Sequence, residues 1–90
     1  MERFSLCVTP TVRRALAERL AEVVAFAAFE FINGPLLDNP YRVGWRLLPP
    51  LDDRYSARRG SYRIIYRIDD KARTVTLVDV DHRNDVYKPH

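Results

Sequence analysis

"RYSARRGSYRIIYRIDDKARTVTLVDV", residues 54–80, decides the fold of this 90-residue chain. Two runs in which polar and apolar residues alternate meet at Gly60, a natural turn residue between paired strands. Asp69-Asp70-Lys71-Ala72-Arg73 is a second turn signal, and Thr74–Val80 reads as a third strand. Three consecutive strands predict an antiparallel meander. Side chains alternate faces along a strand. Tyr62, Ile64, Tyr66 and Ile68 therefore share one face, and Ser61, Arg63, Ile65 and Arg67 the other. In the preceding run Tyr55 and Ala57 oppose Arg54, Ser56 and Arg58. One surface of the hairpin is apolar, with Tyr62 and Tyr66 as core residues. The other can display Arg54, Arg58, Arg63 and Arg67 together.

Working outward, residues 3–8 alternate and read as a short strand, with Phe4, Leu6 and Val8 on one face and Cys7 on the other. Thr9 is placed as an N-cap and Pro10 in a first helical turn. From there to Ile32 the spacing of Leu16, Leu20, Val23, Ala27 and Phe31 is helical, with the polar residues 17–19 as the place where one helix can divide into two. The stretch "VVAFAAFEFI" is apolar nearly all round, so it needs cover on two sides. Asn33-Gly34-Pro35 is expected to end the helix. Residues 34–53 then form a long connection anchored by Leu36, Leu37 and Trp45. The predicted fold is α+β, a single small domain over residues 1–90. One or two N-terminal helices pack on a mainly antiparallel sheet in the order β-α(α)-β-β-β.

Composition narrows the function classes. The chain has 15 Lys and Arg against 12 Asp and Glu, a formal net charge of +3. Five of those arginines lie between Arg54 and Arg67 with no acid among them, leaving ten bases and twelve acids elsewhere. The basic character is one local patch. No apolar run approaches the roughly 18–20 residues that span a bilayer, and Glu2, Arg3 and the shortness of the following apolar run give no expectation of a secretory leader. One cysteine and two histidines cannot build a closed Cys/His zinc site, so metal-free chemistry in a reducing cytoplasm is expected, with no cofactor.

Several guanidiniums across two strands repel one another and suit a polyanion, because guanidinium pairs phosphate oxygens in a fork. Interleaved tyrosines can stack bases on such a surface. The structural alternative is neutralisation by cross-strand pairing with Asp79 or Asp81. After the third strand come His82, Arg83 and Tyr87. Beside an arginine patch these are the parts of a metal-free ribonuclease. Histidine titrates near neutrality, tyrosine can serve if cations lower its pKa, and arginine stabilises the charge of the transition state. His90 is read as inert.

These residues carry a resemblance. "YSARRGSYRIIYRIDD" (55–70), then "DVDHRNDVY" (79–87), with "FINGPLLDNPYRVGWRL" (31–47) upstream, resembles the RelE side of the RelE/ParE superfamily of bacterial toxins. The resemblance implies the toxin half of a type II toxin–antitoxin pair: a ribosome-dependent mRNA endonuclease that cleaves by 2′-hydroxyl attack in the A site of the 70S ribosome. It implies a RelB-like antitoxin as partner, and oligomerisation mainly through that antitoxin. It places Arg58, Arg63, His82, Arg83 and Tyr87 as catalytic candidates. Arg54, Ser56, Arg59, Arg67 and Arg46 become candidate RNA or ribosome contacts. Two features depart from the family: Ser56 stands where one of two hairpin lysines is expected, and Trp45 replaces the lysine of a Gly-Lys-Pro stretch, as a packing residue in the first reading and a contact with RNA or antitoxin in the second. The rival readings are a ParE-like gyrase poison without nuclease activity and an inactive relative that binds only RNA or antitoxin.

Overall fold

The structure, a computed structural model, describes residues 3–82. Strand β1 (Ser5–Val8) leads into α1 (Pro10–Arg14), which continues through wider turns over Ala15–Arg19. Helix α2 (Glu22–Phe31) likewise continues over Ile32–Leu36. Strands β2 (Trp45–Arg46), β3 (Tyr55–Arg59), β4 (Tyr62–Asp69) and β5 (Thr74–His82) complete the chain's described part. The sheet order is β1-β5-β4-β3-β2. The meander β3-β4-β5 is antiparallel as expected, and β1 runs parallel to β5.

The helical region is two helices. The division falls at Leu20 and Ala21, whose ψ values of 144° and 148° are extended, just beyond the polar residues 17–19. Leu20 turns inward there and is buried. Thr9 does occupy the N-cap of α1, yet its hydroxyl donates to the Leu77 carbonyl at 2.8 Å, tying the helix start to β5 instead of closing the first turn. The expected stop at Asn33-Gly34-Pro35 is overridden. The chain passes Pro35 by widening its turn, and burial of Ile32, Leu36 and Leu37 holds the extension in place. Proline removes a helical N–H, and a wider turn accommodates the loss.

The core lies between the helices and the inner face of the sheet. It contains Phe4, Val12, Ala15, Leu20, Ala28, Phe31 and Ile32 against Ala57, Tyr62, Ile64, Tyr66, Val75, Leu77 and Val80. Tyr66 is fully buried, and its hydroxyl donates to the Pro40 carbonyl at 2.6 Å. Burial drives its pKa well above the ordinary tyrosine value. Tyr55 stacks on it at 5.8 Å, and Tyr41 meets Tyr55 edge-on. Tyr62, also buried, aims its hydroxyl at the Ala27 carbonyl of α2.

Two expectations for residues 34–53 need correction. A fifth strand, β2, lies within what reads as a connection, with Trp45 opposite Ser56 and Arg46 opposite Tyr55. Two residues are too few to set up a period. Trp45 is not an anchor, since it is 59% exposed. Gly44 explains why β2 lies so close to the sheet. A Cβ there would stand 2.5 Å from the Tyr66 hydroxyl and 2.6 Å from the Ser56 carbonyl, a space no side chain can share.

Candidate nucleic-acid interface

Pairing in the hairpin sets the arginine geometry. Arg58 lies directly opposite Arg63 across β3 and β4, and Arg63 lies opposite Asp81 on β5. Directly opposed residues share a face and hold their Cβ atoms roughly 4.5–5.5 Å apart, and like charges in that arrangement destabilise the pair. Two residues further along, Trp45, Ser56, Ile65 and Asp79 form the next row. Beyond that stand Arg54 and Arg67. Rows two residues apart are separated by roughly 6.5–7 Å. The open face of the sheet thus gathers four of the predicted arginines: Arg54, Arg58, Arg63 and Arg67.

The acids reach some of them. Arg63 donates to Asp81 at 2.9 Å, an ion pair with both side chains partly exposed. Asp53 stands 3.6 Å from Arg54 and 3.9 Å from Arg67, too far for strong hydrogen bonds. The buried Nε of Arg54 has no hydrogen-bond partner among the described residues. Asp79 instead accepts from the backbone N–H of Val80. No acid lies within ion-pair reach of Arg58 among the described residues. Among the described residues neutralisation is therefore partial, and it leaves the Arg58–Arg63 pair with a surplus of positive charge.

A groove of about 450 Å³ opens on this face. Ile65 and Val78 give it an apolar floor, Leu47 and Leu51 form one wall, and Arg54, Arg63, Asp79 and Asp81 supply polar groups. The apolar wall was not legible in the sequence, because it comes from the irregular segment between β2 and β3.

The other candidates do not join this set. Ser56 is buried within its row. Arg59, opposite Tyr62, belongs to the helix side, where its guanidinium sits 4.6 Å over the Phe31 ring. Arg46, opposite Tyr55, shares that parity. His82 is paired with Tyr62 and is buried on the helix side, with Nε2 2.9 Å from Ser61 Oγ. It is thus across the sheet from Arg58 and Arg63. The bulge where Ile65 pairs with Asp79 but Tyr66 with Leu77 sets this parity. Arg83 and Tyr87 lie outside the described residues.

The family model described as "ParE toxin of type II toxin-antitoxin system, parDE" matches residues 9–87. The chain therefore belongs to the RelE/ParE superfamily of type II toxins. It is 41% identical over 85 residues to "Toxin RelE" of Mycobacterium tuberculosis, covering 94% of this chain and 87% of the relative. It is 44% identical to "Toxin RelG" of the same organism, covering 94% and 97%. Its structure superposes with a TM-score of 0.88 and 43% identity on a chain of the Mycobacterium tuberculosis RelBE2 toxin–antitoxin complex, covering 92% of this chain and 94% of that one.

Proposed function

We propose that this toxin is a ribosome-dependent mRNA endonuclease that stops translation. The observation that carries this reading is the cross-strand Arg58–Arg63 pair. Its self-repulsion opposes folding, so its purpose is sought in a ligand, and a phosphodiester is the anion that two forked cations fit. In the reaction the 2′-oxygen attacks the adjacent phosphorus while the bond to the 5′-oxygen breaks. The products are a 2′,3′-cyclic phosphate and a free 5′-hydroxyl. Arg58 and Arg63 hold the phosphate and the charge that develops on it. Arg63 can exchange Asp81 for the phosphate at little cost, because that ion pair is solvent-accessible. Arg83 assists the leaving oxygen. His82 is engaged by Ser61 on the other face, so proton transfer is assigned to Tyr87.

The partner is an antitoxin that covers α2. Val23, Phe26 and Phe29 are 75%, 66% and 54% exposed and form an apolar stripe at helical spacing. Antiparallel pairing with a second copy centred on Phe26 would set Glu22 against Glu30. A different chain fits better.

Primer extension on a defined messenger in a purified translation system tests the nuclease. Cuts that require ribosomes, persist under chelation and fade in Arg63→Ala support it; an intact messenger refutes it. One observation favours a second reading: His82 does not join the clamp. A chain that binds this anionic surface without cutting, including a gyrase inhibitor, would leave the messenger whole in the same assay.

A further inference from the structure

We propose that Trp45 is a base-stacking platform, so that the open face binds a single-stranded ribonucleotide by its base as well as by its phosphate. This rests on the reading of that face as an RNA surface. Trp45 is the chain's only tryptophan, and a large indole left 59% exposed is unusual for a residue that is highly buried on average. No aromatic or cation contact holds its ring among the described residues. Its backbone, in contrast, is fixed. Pairing of Trp45 with Ser56 and of Arg46 with Tyr55 sets the strand. Gly44 pins its start against the Tyr66 hydroxyl and the Ser56 carbonyl.

The pairing also sets what the indole stands beside. Trp45 shares the open face with Ser56, Ile65 and Asp79. That row is flanked on one side by Arg58 and Arg63 and on the other by Arg54 and Arg67. Ser56 beside it is small, and Trp45 itself stays 59% exposed. A rigidly based aromatic surface between two rows of guanidiniums matches a nucleotide strand, whose bases stack while its phosphates pair with cations. A purely apolar partner would leave those arginines unpaired, and a purely anionic one would leave the indole in water.

The test uses the full chain and the fluorescence of its single tryptophan. The probes are a 2′-O-methyl oligoribonucleotide, which cannot cleave itself, and an abasic strand of the same length and charge. The expected result is saturable quenching by the first and binding without quenching by the second. Trp45→Ala should lose about 5- to 100-fold in affinity for the base-bearing strand and little for the abasic one, and Trp45→Phe should recover most of the loss. Equal binding of both strands by wild type and Trp45→Ala would overturn the platform. So would a fluorescence change on adding the antitoxin with none on adding oligonucleotide, which would make Trp45 a protein-docking residue. The nuclease reading is separable: an intact translated messenger alongside base-dependent quenching would leave the platform and remove the enzyme. Normal cleavage by Trp45→Ala, with unchanged affinity, would do the reverse.

Discussion

Replacing Arg63 with alanine should separate stability from function. Arg63 loses one ion pair with Asp81 at 2.9 Å, between side chains 47% and 35% exposed. Exposed pairs contribute about 0–1 kcal/mol. The substitution also removes the repulsion between Arg63 and the directly opposed Arg58, which is of similar size and opposite sign. The aliphatic stem lies on the open face, outside the core. Folding stability should therefore change by no more than about 0.5 kcal/mol, measured as the urea midpoint at unchanged slope. The effect on RNA should be large. A hydrogen bond to a charged phosphate is worth about 1.5–3 kcal/mol, or roughly 10- to 150-fold in affinity. Loss of one phosphate contact should also lower the slope of log affinity against log salt by about 0.7 on single strands. Cleavage should fall by about 10²–10³ if the guanidinium meets the transition-state charge. A loss of stability above about 2 kcal/mol would show that Arg63 is a structural residue. Cleavage within about threefold of wild type would remove it from the phosphate clamp.

Tyr66→Phe should cost about 1–3 kcal/mol, because it leaves the buried Pro40 carbonyl without its donor; a shift in urea midpoint near zero would mean that the carbonyl finds another partner. Alkaline pH should also destabilise the fold. The hydrogen bond from Tyr41 to Asp70 pushes the Tyr41 pKa up to about 12, and burial raises that of Tyr66. Both keep their protons in the native state where the unfolded chain has lost them, so their stabilisation is complete below about pH 10 and lost as pH rises towards 12. Urea midpoints above pH 10 should fall less in Tyr41→Phe than in wild type, and equal falls would refute the assignment. Phe26→Glu should weaken antitoxin binding by at least about tenfold in titration calorimetry with stability unchanged, since Phe26 lies at the centre of an exposed stripe. Unchanged affinity would move the antitoxin to another surface.

Much of the fold was legible because polar and apolar residues largely alternate in β3 and β4 and Gly60, with its φ of 57°, marks the turn between them. That parity correctly placed Arg54, Arg58, Arg63 and Arg67 on one face and Tyr62 and Tyr66 in the core. What remained hidden depends on contacts between distant segments. Burial of Ile32, Leu36 and Leu37 carries the second helix past Asn33-Gly34-Pro35, against the local stop signal. β2 exists because Gly44 fits against Tyr66, a contact across 22 positions that no local pattern announces. The placement of His82 was hidden for a related reason. The bulge in β5 breaks its alternation, so a residue beside the arginines in sequence stands across the sheet from them.

The two faces of the sheet explain why the arginine row survives in so small a domain. A chain of this size has a thin core and little stability to lose. Here every large inward residue from Tyr62 to Val80 is committed to the helix side, and the charged row occupies positions whose replacement would leave that core untouched. Asp81 and Asp53 blunt the repulsion with solvent-accessible pairs, which can be exchanged for a stronger anion. Arg58, with no acid in reach among the described residues, keeps the surplus. An arrangement that served stability would have set an acid opposite Arg58, since a cross-strand pair of opposite charge stabilises where two like charges do not. Arg63 stands there instead, and a phosphate bound between the two would relieve the imbalance.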